Sequence, residues 1–89
     1  MNILKVFTNK FEAQYAQEQF AIDNFYQLVD SDKFGKVSLL TGHSIYFRVV
    51  NTLEDCHRMA GQCFSWVEYK GDFHKDIKQW IASRIREPS

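Results

Sequence analysis

The chain has 89 residues, 45% of them hydrophobic and 16% aromatic, with 11 Lys and Arg balancing 11 Asp and Glu. That length gives one domain, residues 1–89, around one core, and the apolar content excludes a disordered segment. Zero net charge excludes whole-molecule attraction to nucleic acid or to an anionic membrane, and no apolar run approaches the roughly 18–20 residues that cross a bilayer.

Ile3, Leu4, Val6 and Phe7 form a short apolar run ended by Thr8-Asn9, which predicts the first strand. A helix follows. On it Phe11, Tyr15, Ile22, Phe25, Tyr26 and Val29 fall within about 100° of arc and predict the buried face. Phe20 lies on the opposite side, so either the helix breaks near Ala21–Asn24 or Phe20 is exposed for binding. From Phe11 to Asp32 the only charges are Glu12, Glu18, Asp23, Asp30 and Asp32, so the rest of the chain carries a net positive charge. Such a run is either a solvated face or a docking surface for a basic partner.

Asp30-Ser31-Asp32 and Gly35 end this helix. Lys36–Leu40 and Ser44–Val50 predict two strands, joined by a hairpin through Thr41-Gly42-His43. In the second, Ile45, Phe47 and Val49 point one way, Tyr46 and Arg48 the other. Asn51 or Thr52 caps a second helix, with Glu54 and Asp55 in its first turn, Leu53, Cys56, His57 and Ala60 inward, and Gly61 as its stop. Gln62–Tyr69 predicts a fourth strand. The last helix places Ile77, Trp80, Ile81 and Ile85 on one side, with Lys75, Lys78 and Arg86 towards the other, and Pro88 ends it. The sum is an α+β fold of β-α-β-β-α-β order, ferredoxin-like, with a mixed four-stranded sheet and an extra C-terminal helix.

Catalytic and metal chemistry find little support in these residues. Cys56, His57 and Cys63, with His43 or His74 as a further ligand, are the only soft-ligand cluster, and they lack the paired spacing of a structural zinc site. Adjacent Cys56 and His57 diverge by about 100° on a helix, a poor geometry for a nucleophile and its base. Glu54-Asp55, and Asp72 with Asp76, sit where helix dipoles alone explain them. The four glycines are isolated, so no phosphate loop forms. The expectation is no enzyme, no cofactor and no metal. Two cysteines make no disulfide framework and Met1–Phe7 is no signal peptide, so a cytoplasmic chain with free thiols packed as small hydrophobes is expected.

Two partial resemblances bear on function. Lys36–Gly71 resembles the segment of phage terminase- and helicase-type P-loop ATPases that leads to the Walker B strand. The hairpin, the segment Thr52–Ala60, Gly61 and Phe64–Tyr69 carry the likeness, while Lys70-Gly71 replaces the acidic pair and no Walker A loop precedes it. The resemblance implies a phage or mobile-element origin with the ATPase chemistry lost. His43–Ala60, with Tyr46-Phe47-Arg48, is similar to RNA-recognition modules, which stack bases on exposed strand aromatics. Their Gly-aromatic repeat is missing here.

Fourteen Phe, Tyr and Trp residues exceed what so small a core buries, and interfaces enrich these types. The sequence therefore predicts a non-enzymatic macromolecule-binding module, an inhibitor or adaptor that binds another protein with a basic surface. Single-stranded nucleic acid is the alternative partner, and a degenerate P-loop ATPase the third reading. No membrane partner is expected. Candidate partner-binding residues are Glu12, Glu18, Phe20, Asp23, Tyr46 and Arg48.

Overall fold

The computed structural model describes residues 1–85. In chain order it forms β1 (Asn2–Phe7), α1 (Lys10–Asp23), a 3-10 turn (Phe25–Gln27), β2 (Leu28–Ser31), β3 (Lys36–Leu39) and β4 (Ser44–Val49). The remaining elements are α2 (Leu53–His57), β5 (Trp66–Lys70) and α3 (Lys75–Ala82). The strands make one five-stranded mixed sheet in the order β2-β3-β4-β1-β5. β1 pairs in parallel with both β4 and β5, while β3 runs antiparallel to β2 and β4. No helix among the described residues is long and apolar enough to cross a membrane.

Alternation along the strands builds a core on each side of this sheet. Leu4 and Val6 of β1 pack with Cys56, Met59, Ile77 and Ile81 from the α2 and α3 side. Phe7 packs instead with Ile45 and Phe47 of β4, Val37 and Leu39 of β3, and Ala13 of α1. Side chains cap the starts of both α1 and α2. Asn9 Oδ1 accepts from the backbone N–H groups of Phe11 (2.7 Å) and Glu12 (3.3 Å). Thr52 and Asp55 form a reciprocal capping box at α2, with Asp55 also accepting from the Asn51 N–H at 2.9 Å.

The α+β class holds, but the sheet differs from the expected four strands of ferredoxin-like order. Leu28–Ser31, read in sequence as the helix end, is a fifth strand at the sheet edge. This extra strand reverses the direction of the next two. β2 runs with β1, β3 returns, and β4 therefore lies parallel to β1 rather than against it. The helices then occupy both faces of the sheet, α1 on one, α2 and α3 on the other.

Local expectations divide similarly. Ile77 and Ile81 are buried and Trp80 and Ile85 half-buried, as the α3 spacing predicts. The α2 inner face is Cys56 and Met59, while Leu53, His57 and Ala60 are exposed, because the regular helix stops at His57 and turns carry the chain to Gly61. The fourth predicted strand begins at Trp66, not Gln62. Arg86 and Pro88 lie outside the described residues.

Candidate functional site

The largest departure from expectation is the orientation of α1. Ala13 is buried and Ala16 and Phe20 pack partly against the sheet, whereas Phe11, Tyr15 and Ile22 point to solvent. The stripe expected to be core is the outer surface. Phe20 is its inward counterpart, edge-on to Phe47 with ring centroids 5.9 Å apart. Room decides this arrangement. Phe7 and Phe47 stack 6.1 Å apart beneath the helix, so the facing positions take alanine and one aromatic ring. At about 100° per residue the outer positions Phe11, Tyr15, Glu18 and Ile22 fall within roughly 60° of one another. Phe25 and Tyr26, in the turn just beyond α1, are each 78% exposed, and Val29 on the edge strand is exposed too.

Charge accompanies this apolar surface. Glu18 lies within the stripe, and Glu12 and Asp23 border it on one side by helical angle. Among the described residues, Glu12, Glu18 and Asp23 make no ion pair. Gln17, on the inner side, ties α1 to the end of β2 by donating to Ser31 Oγ (3.1 Å) and to the Asp32 carbonyl (2.8 Å). A groove of about 430 Å³ runs there, lined by Gln14, Gln17, Glu18, Ser31, Asp32 and Lys33.

The remaining sequence candidates do not join this surface. Phe20 belongs to the core on the α1 face, with Lys5 Nζ 5.1 Å from its ring centroid. Tyr46 packs on the other face against Phe64, at 5.4 Å. Arg48 and Lys36 lie over the Tyr46 ring at 5.3 Å and 5.8 Å, and Arg48 donates to the Phe34 carbonyl. Three of the six candidates, Glu12, Glu18 and Asp23, are thus on α1 and exposed. The binding-type residues that sequence reasoning assigned to the core are Phe11, Tyr15 and Ile22. One signal could have found them: two alanines and Phe20 share the opposite arc, a second apolar face on the same helix.

Elsewhere the chemistry is modest. Burial, with Asp55 nearby, raises the Cys56 thiol above its ordinary range, so little thiolate is present at neutral pH. Cys63 is exposed, contrary to the expectation that both thiols pack as small hydrophobes. Among the described residues no three His, Cys, Asp or Glu side chains come together in a metal-binding group. The turn from β1 to α1 is only Thr8-Asn9. Two smaller grooves, about 220 and 200 Å³, meet at Arg48 and Val49, with Lys10, Lys33 and Arg58 on their walls. No family model, no curated protein and no solved structure matches this chain.

Proposed function

We propose that this chain is a protein-binding module, an inhibitor or adaptor rather than an enzyme, and that it docks its partner on the outer face of α1 and the turn beyond it. One observation carries the reading: the large apolar side chains Phe11, Tyr15, Ile22, Phe25 and Tyr26 stand 65–78% exposed on one short stretch of chain. At ~150–250 Å² per aromatic side chain they expose several hundred Å² of apolar surface, comparable with one side of a small specific interface. A monomer with no partner rarely leaves such surface uncovered. The same face carries Glu18, with Glu12 and Asp23 beside it, and carboxylates in such a place speed encounter with a cationic surface and repel nucleic acid.

Site-specific photo-crosslinking in the cell that makes the protein tests the proposal. A crosslinking residue at Tyr15 or Phe25 should give one discrete adduct, lost when Phe11 and Ile22 are changed to Ser. The same residue at Lys78, exposed on α3, should give none. Equal adducts from both positions, or none from Tyr15 and Phe25, would count against it.

A further inference from the structure

The spacing of the outer stripe specifies more than an apolar patch. Phe11, Tyr15, Glu18 and Ile22 are separated by four, three and four residues, the spacing of a coiled-coil seam. α1 has 14 residues, about 21 Å, which is enough for three such steps. On the reading that this face docks a partner, we infer that the occupant is a cationic amphipathic helix. Its apolar seam packs on Phe11, Tyr15 and Ile22, one Lys or Arg meets Glu18, and further cations face Glu12 and Asp23.

The carboxylates separate this occupant from the obvious competitor, a second copy of the chain. In a parallel pairing of two α1 helices, the two Glu18 side chains come level. In an antiparallel pairing centred on the stripe they lie three residues apart, about 4.5 Å along the axis, and Glu12 comes near Asp23 of the other copy. Either geometry presses like charges together where water is being expelled, with no cation on α1 beyond Lys10 to relieve them and Lys33 set across the neighbouring groove without an ion pair to Glu18 among the described residues. A single polar residue in such a seam selects partner and register at some cost in affinity. Glu18 is that residue here. It rejects self-pairing and admits a helix that supplies the opposite charge.

The protein can serve as its own probe. A charge-reversed copy, E12K/E18K/D23K, keeps the apolar seam and supplies the cations, and E18K alone replaces it should the triple variant fail to fold. By sedimentation, wild type alone and the reversed copy alone should remain monomeric. Their equimolar mixture should form a heterodimer whose affinity falls at least about tenfold between low and high salt. Glu18→Leu should make the chain self-associate, and adding Phe11→Ser and Tyr15→Ser should abolish this. Wild type dimerising through α1 would overturn the inference in favour of a second copy. A mixture no tighter than wild type alone, with Glu18→Leu still self-associating, would overturn the charge selection while leaving the docking face intact. Absence of association in every arm would overturn both.

Discussion

α1 and α3 both carry large apolar side chains at helical spacing, yet they dispose of them in opposite ways. α3 turns Ile77 and Ile81 fully into the core, with Trp80 along its flank. α1 turns alanines inward and sends Phe11, Tyr15 and Ile22 outward. The difference lies in what the sheet offers each helix. On the α3 side Leu4 and Val6 lie beneath the helices, with Tyr46, Val67 and Tyr69 of the strands only partly buried around them, and the space between takes isoleucine, methionine and Phe64. On the α1 side Phe7 and Phe47 already fill that depth. A helix face is therefore core or surface according to the volume opposite it, not by its hydrophobicity alone.

The sharpest contrast uses one residue type in both helices. Ile81→Ala removes a side chain with no exposure and should cost about 2–5 kcal/mol, whereas Ile22→Ala should stay within about 0.5 kcal/mol of wild type. Urea unfolding of the two variants measures both, and equal costs would break the comparison.

Next in size is the anchor between the β2–β3 connection and β4. Gly35 is buried at φ +96°, and a Cβ there would collide with the Phe47 carbonyl. The backbone conformation alone should make Gly35→Ala cost about 1–3 kcal/mol. Because this turn meets the α1 side of the sheet, the variant should also weaken protection of α1 amides in hydrogen exchange. Unchanged stability would show that this turn does not anchor β4 or the α1 side of the sheet.

A smaller effect belongs to the opposite face. Thr52→Ala removes the α2 cap and should cost about 1 kcal/mol. Asp55 has its carboxyl lowered mainly by the Asn51 N–H, against burial and with help from Thr52. A depressed carboxyl stabilises the fold above the ordinary carboxylate range, and that contribution is lost as pH falls through its lowered value. The penalty of Asp55→Asn should therefore be present at neutral pH and shrink in acid, as urea midpoints at the two pH values would show.

Much of this was legible in the residues and some was not. β1, β4 and α3 emerge from clear apolar runs, and the cap of α2 narrows to Asn51 or Thr52, of which the structure selects Thr52. β2 was hidden because it is four residues long, with only Leu28 and Val29 apolar, and Val29 continues the helical stripe by chance. α1 was readable as a helix but not in its orientation. Its two apolar arcs compete, the larger side chains win any count, and only the packing partners Phe7 and Phe47 decide between them. Of the candidate site, the uninterrupted negative sign marks the acids Glu12, Glu18 and Asp23, while the helical spacing of the aromatics beside them points to the core they do not enter.

If the outer stripe of α1 serves docking, it contributes little to folding. The triple variant F11S/Y15S/I22S tests this most directly in urea unfolding. Serine matches phenylalanine, tyrosine and isoleucine closely in helix propensity, so the helix itself is not penalised. The summed change should stay within about 1 kcal/mol of wild type. A loss above about 3 kcal/mol would show these side chains to be core after all.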